Sequence, residues 1–184
     1  MSFKLSNRSL AKMEGVDESL VAVVKRAIEL TKVDFGVIYG LRTVEEQEKL
    51  VAAGKSQTMK SKHLEGRAVD LMAYVDGKGV WELNVYDDLC DAMKEAAKEL
   101  GVAIKWGAAW SEGDIRSYPS TAEDAMMAYV DLRRSQGRSS LILRIPCRQD
   151  AFLWMPVLIR RRTGFPSLTR KRADIRLDFG YSKI

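Results

Sequence analysis

Histidine is nearly absent from this sequence: His63 is the only one among 184 residues. Within one chain, that excludes a metal centre built from several imidazoles and the helical H-E-x-x-H pair. Cysteine is almost as scarce. Cys90 and Cys147 lie far apart and in no C-x-x-C arrangement, so both read as isolated thiols rather than as parts of a disulfide framework or a zinc ribbon. No apolar run approaches the length of a membrane span, and Met1-Ser2-Phe3-Lys4-Leu5 lacks the apolar core of a secretory signal. A soluble product made in the cytoplasm, with no signal peptide and no membrane insertion, is the expectation.

What is present is a core and an uneven charge. Apolar residues make up 46% of the chain, enough for one domain of this length to bury a sizeable interior. The net charge of +5 is not spread evenly: residues 1–138 hold 20 Lys and Arg against 22 Asp and Glu, and residues 139–184 hold 10 against 3. Three of the four prolines, Pro146, Pro156 and Pro166, and the run Arg160-Arg161-Arg162 also fall in that last stretch. We therefore expect a domain over residues 1–138 followed by an atypical basic tail over 139–184.

Hydrophobic spacing predicts a mixture of helices and strands in the first part. Leu20, Val23, Val24, Ala27, Ile28 and Leu30 form a helical stripe within residues 17–31, and Phe35, Val37, Ile38 and Tyr39 beside Gly36 and Gly40 read as a strand. Thr43-Val44-Glu45-Glu46 is a capping box that opens a second helix ending near Gly54. Residues 68–75 read as a strand, Asp76-Gly77-Lys78-Gly79 as a turn into another short strand or loop, 85–100 as a helix and 102–106 as a strand. Ser120-Thr121-Ala122-Glu123 reads as a second capping box before a helix that runs to Gly137. Beyond it, Leu141-Ile142-Leu143 is a candidate strand in a region with no sustained period. The class is α+β.

His63 stands in Ser61-Lys62-His63-Leu64-Glu65-Gly66-Arg67-Ala68-Val69-Asp70. Seven residues separate His63 from Asp70, so the two converge only if the chain turns between them, which Gly66 permits. On the following strand Ala68, Asp70 and Met72 share one face, Val69 and Leu71 take the other, and the small Ala68 leaves room beside the carboxylate. Taken alone, the segment also reads as a polar loop entering an edge strand.

Ser61, His63, Gly66, Ala68 and Asp70 reproduce the pattern S-x-H-x-x-G-x-A-x-D. In that pattern the chain resembles the VanY-like metallopeptidases, which include D-alanyl-D-alanine carboxypeptidases and phage L-alanyl-D-glutamate endolysins. Met1-Ser2-Phe3-Lys4, Gly40-Leu41-Arg42-Thr43 and Trp106-Gly107-Ala108-Ala109-Trp110 extend the likeness to the endolysins over residues 1–138. The resemblance implies the Hedgehog/VanY-type zinc metallopeptidase fold, a small antiparallel sheet with packed helices. It implies a Zn2+ cofactor held by His63 and Asp70, Ser61 lining the site, and Arg42 stabilising the oxyanion of the attacked carbonyl. Gln47 is a further candidate on the substrate side, with a solvated helix position as its alternative. Trp106 and Trp110 either flank a substrate groove or pack in the core. Ala109 departs from relatives that often carry an acidic residue there.

The implied reaction is hydrolysis of a peptide bond in the peptidoglycan stem, L-alanyl-D-glutamate, by a monomeric phage or prophage lysis enzyme that leaves the host cytoplasm through a separate pore. A third zinc ligand and a general base are missing. After the last helix the family carries a strand with P-H-x-E, whereas this chain reads Arg138-Ser139-Ser140-Leu141-Ile142-Leu143-Arg144. Cys147 or Asp150 are possible replacement ligands whose geometry nothing fixes. The alternatives to an active hydrolase are an inactive cell-wall-binding relative and a polyanion binder acting through the basic tail; nucleic acid is not the expected partner, because no aromatics interleave the basic residues.

The genetic code connects the missing motif to the tail. If Leu141 to Arg144 are encoded CTC-ATT-TTG-AGA, reading one base earlier yields His-Phe-Glu, preceded by Pro when the third base of Ser140 is C. The tail from about Ser139 then reads as an out-of-frame translation of a gene that encodes the complete motif. Sequencing the gene tests this directly: codons at residues 141–144 that cannot supply histidine in the neighbouring frame would sink the idea.

Overall fold

The apolar stripe seen in the sequence becomes the wall of the core. In the computed structural model, which describes residues 2–56 and 58–137 together with the backbone of 155–159, helix α2 (Glu18–Leu30) buries Leu20, Val23, Val24, Ala27 and Ile28. Its first turn is closed by Asp17, whose carboxylate accepts from the Ser19 N–H. Helix α4 (Leu83–Glu99) presents Tyr86, Leu89, Cys90, Met93, Ala96 and Ala97 to the same interior and packs against α2. Helix α5 (Ala122–Ser135) closes the layer through Ala122, Ala125, Met126 and Val130.

Against these helices lies a five-stranded antiparallel sheet made of β1 (Asp34–Tyr39), β2 (Ala68–Val75), β3 (Lys78–Val80), β4 (Ile104–Trp106) and β5 (Met155–Ile159). The main order is β1-β2-β5-β4, with β3 also paired to β2. Strand β2 is the spine. It pairs with β1 through Phe35↔Ala73 and Val37↔Leu71, and its opposite edge is shared lengthwise by β5, along Ala68 to Leu71, and β3, along Ala73 to Val75. Strand alternation sorts the faces: Val69, Leu71 and Ala73 join Phe35 and Val37 in the hydrophobic core, while Ala68 and Asp70 point to the other side.

Two short elements complete the frame of the site. Helix α3 (Val44–Ala52) opens with the expected capping box: Thr43 Oγ1 accepts from the Glu46 N–H at 3.2 Å, and Glu46 Oε2 accepts from the Thr43 N–H at 2.9 Å. Helix α1 (Asn7–Lys12), capped by Ser6, was not foreseen, because six residues are too few to establish a period. The second cap is shifted by one residue from its expected place. Thr121, not Ser120, caps α5 by accepting from the N–H of Asp124, the acid three residues after it; Glu123 shares the first turn.

The α+β class thus stands as a mixed structure with a small antiparallel sheet. Among the described residues no helix is long and apolar enough to cross a membrane. Strand β5 comes from beyond residue 138, a stretch where sequence patterning identified only Leu141-Ile142-Leu143. That segment, with Cys147, Asp150, Arg160-Arg161-Arg162 and the out-of-frame reading, lies outside the described residues.

One buried charge opposes the packing of α4. Asp87 is 8% exposed and its Oδ1 has no hydrogen-bond partner. Burial, reinforced by the negative charges of Glu123, Asp91 and Asp88, pushes its carboxyl up to about 6. Because the folded value lies above the ordinary 3.8, the associated stability is fully present below about pH 4 and is lost as the pH rises through about 6. Asp87→Asn should therefore stabilise the protein at pH 8 by about 2 kcal/mol. Thermal melts across pH check this, since the gain must vanish below about pH 4.

Candidate active site

The site is assembled where β1 ends and β2 begins. The register of the two strands shifts between Val37 and Tyr39, and Tyr39 then becomes the Cα partner of Asp70. His63 arrives on a 3-10 turn (Lys62–Glu65) that Gly66 ends at φ 65°, the left-handed conformation expected of glycine. This turn is fastened to its surroundings by backbone bonds. The Arg42 N–H donates to the His63 carbonyl at 3.1 Å, and the Asp17 N–H donates to the Gly66 carbonyl at 2.8 Å.

The imidazole has a defined orientation. His63 Nδ1 lies 2.7 Å from the Gly40 carbonyl oxygen, which can only accept, so Nδ1 carries the proton. In the neutral ring Nε2 then presents its lone pair to Asp70 Oδ1, 3.4 Å away. Two lone-pair atoms thus face each other, and Oδ1 is buried without a hydrogen-bond partner. His63 and Asp70 are only 5% and 1% exposed. A cation between them would satisfy both atoms, and a histidine whose other nitrogen donates to a carbonyl is oriented as metal-ligating histidines usually are.

Arg42 occupies the other side of the carboxylate. Its Nη2 is 3.4 Å from Asp70 Oδ2 and its Nη1 donates to Gln47 Oε1 at 2.8 Å. Gln47 is fully buried, and its Nε2 donates onward to Ser56 Oγ at 2.8 Å and to the Thr58 carbonyl at 2.6 Å. The amide is therefore consumed by the protein, and Gln47 is placed to hold Arg42. This is neither a solvated helix residue nor a side chain with an amide left open. Ser61 precedes the 3-10 turn, half-buried, and makes no side-chain cap to it.

The structure thus brings together Arg42, Gln47, His63 and Asp70. The tryptophans separate: Trp106 is buried in the hydrophobic core, and Trp110 is 41% exposed with Lys105 Nζ 5.5 Å from its ring centroid. Ala109 is fully buried. Among the described residues, no group of three His, Cys, Asp or Glu side chains is disposed to hold a metal. Strand β5 sets residue 156 opposite Asp70, but its sequence of Met, Pro, Val, Leu and Ile contains no imidazole, carboxylate or thiolate. Among the described residues, the side chains that would suit zinc here are therefore His63 and Asp70.

Sequence reasoning missed the framework of the pair, which is the Gly40 carbonyl and the packing of α1 upon it. The signal was Gly40 itself, read as a turn former and as part of the Gly40-Leu41-Arg42-Thr43 likeness. A Cβ at that position would lie 2.1 Å from the Lys12 carbonyl oxygen.

Comparison with known proteins agrees in direction. Residues 1–126 match the family model described as phage L-alanyl-D-glutamate peptidase. The chain is 36% identical to the L-alanyl-D-glutamate peptidase of Escherichia phage T5 over 115 residues, covering 60% of this chain and 84% of that protein. It is 30% identical to the enzyme of the same name from Listeria phage A118, covering 57% of this chain and 37% of the relative. Among solved structures, it is similar to the Serratia marcescens L-Ala D-Glu endopeptidase ChiX, with a TM-score of 0.57 and 35% identity over 65% of this chain and 96% of the other.

The glycine contact provides a test of the framework. Gly40→Ala should cost about 3 kcal/mol of stability, because the added methyl must displace backbone rather than a flexible side chain. An unchanged melting temperature in the Gly40→Ala variant would refute the close-packing account.

Proposed function

This chain belongs to the phage L-alanyl-D-glutamate peptidase family, and on that premise we propose that it uses the Hedgehog/VanY-type metallopeptidase frame to address the L-alanyl-D-glutamate bond of the peptidoglycan stem. The observation that carries the reading is the facing pair of His63 Nε2 and Asp70 Oδ1, both buried, the second without a hydrogen-bond partner. They are the residues that would hold Zn2+. When bound, zinc supplies Lewis-acid polarisation of a carbonyl and lowers the pKa of water.

The chain's own residues have separable tasks. The Gly40 carbonyl keeps the proton on His63 Nδ1 and so keeps Nε2 available. Arg42, held by Gln47 and Asp70, has N–H groups beyond those two contacts with which to stabilise negative charge developing on the attacked carbonyl oxygen. Ser61 lines the approach to His63. Gln47 acts through Arg42 rather than on the substrate.

In this reading residues 1–138 form the peptidase domain, and the basic stretch from Ser139 is an out-of-frame substitute for its last site strand. Two facts support it: His63 is the only histidine, and the strand beside Asp70 offers no donor of the kind zinc prefers. The third ligand and the general base are then absent, and peptide hydrolysis is impaired although the binding frame is intact. In the same reading the protein waits in the host cytoplasm until a separate pore admits it to the wall, where it works as a monomer.

Measuring bound zinc and the release of new amino termini from purified peptidoglycan tests this. The comparison is between this chain and a version whose tail is replaced by the neighbouring-frame sequence. The repaired version should bind stoichiometric zinc and exceed this chain in rate by about 100-fold or more. Equal, high activity in both would refute the incomplete site. Salt-sensitive nucleic-acid binding that disappears on truncation after Arg138 would instead favour the polyanion-binding alternative.

A further inference from the structure

Helix α1 builds the rim of the site. The carbonyl of its last residue, Lys12, is packed onto Gly40, and the Gly15 carbonyl lies against Gly66 so closely that a Cβ there would be 2.3 Å away. The end of α1 and the turn after it are thereby locked to both segments that orient His63. Its lysine extends over the ring of Tyr39, the residue that ends β1 at the site.

That ring is shared by two cations. Lys12 Nζ lies 5.5 Å from the centroid of Tyr39, and Arg42 Cζ lies 5.5 Å from the same centroid. Tyr39 is in turn the register partner of Asp70. The cations differ in what they have left to offer. Arg42 is 9% exposed and bound to Gln47 and Asp70, whereas Lys12 is exposed and has no hydrogen bond or ion pair through its ammonium among the described residues. Among the described residues Asp70 is the one carboxylate paired with Arg42, and the Lys12 ammonium adds a second positive charge over the same ring.

The chemistry of the bond proposed above specifies an anion for it. A glutamyl residue has two carboxyl groups, and whichever of them continues the chain, the other stays free. A substrate cleaved between alanine and an unamidated glutamate therefore carries a carboxylate within one residue of the reacting carbonyl. We propose that Lys12, steadied on Tyr39, is a specificity-determining residue whose ammonium takes this free glutamyl carboxylate. The assignment rests on the peptidase reading of the site and adds to it the group that distinguishes an acidic residue from its amide. Lys12 is suited to the task because an ammonium on a long stem can follow the ligand while its methylenes cover the ring.

Binding tests this without requiring turnover. The full chain is titrated by NMR with an acetyl-L-alanyl-D-glutamyl peptide whose chain-continuing carboxyl is capped as a methylamide, and with the same peptide whose free carboxyl is a carboxamide. The unaltered protein should bind the acid about tenfold more tightly than the amide. Lys12→Met should erase that preference while leaving the melting temperature and amide affinity unchanged, and Lys12→Arg should retain it. An acid preference that persists in Lys12→Met would overturn the role of Lys12 and leave the peptide site standing. Equal affinity of the unaltered protein for both peptides would do the same. Failure of the unaltered protein to bind either peptide would overturn this role together with the substrate proposed for the site.

Discussion

The bond from His63 Nδ1 to the Gly40 carbonyl is the constraint on which the rest of the site depends. It selects the tautomer, and the tautomer determines whether Nε2 meets Asp70 as a lone pair or as a donor. Its geometry is upheld by packing rather than by further polar contacts to the ring. Gly40 is pressed on the end of α1, Gly66 ends the 3-10 turn against the Gly15 carbonyl, and the Arg42 N–H ties the His63 carbonyl to the segment after β1. Displacement of any of these backbones would rotate the imidazole.

Asp70 exemplifies the tension between a working site and a stable core. A carboxylate 1% exposed to solvent loses most of its hydration, and its contacts with Arg42 and His63 are both 3.4 Å long. Such a pair recovers little of the desolvation cost unless its remaining atoms are satisfied, and Oδ1 is not. The strand tolerates it because its alternate residues, Val69, Leu71 and Ala73, are anchored in the hydrophobic core with α2 and α4. Core burial on one face of β2 thus holds an unfavourable charge in place on the other.

The strand next to Asp70 shows how sheet pairing and side-chain chemistry can be independent. Sheet pairing is made by the backbone and tolerates many sequences, so β5 completes the ladder along Ala68 to Leu71 with five apolar residues. Chemistry is not so tolerant, because it needs a particular side chain at one register position. Fold and activity can therefore separate at a single strand.

Much was legible in the sequence because it follows from local spacing. The helical stripe of α2, the Thr43 capping box, the alternation along β2 and the turn at Gly66 each rest on neighbours a few residues apart. The pattern from Ser61 to Asp70 likewise announced the pair that the structure brings face to face. What only the tertiary structure decided depends on contacts between distant segments. Gln47 proved to be the buried support of Arg42, Trp106 took the core while Trp110 stayed exposed, and six-residue α1 became the rim that locks Gly40 and carries Lys12. No period or motif encodes these placements, because each is determined by which surfaces meet when the sheet and helices close upon one core.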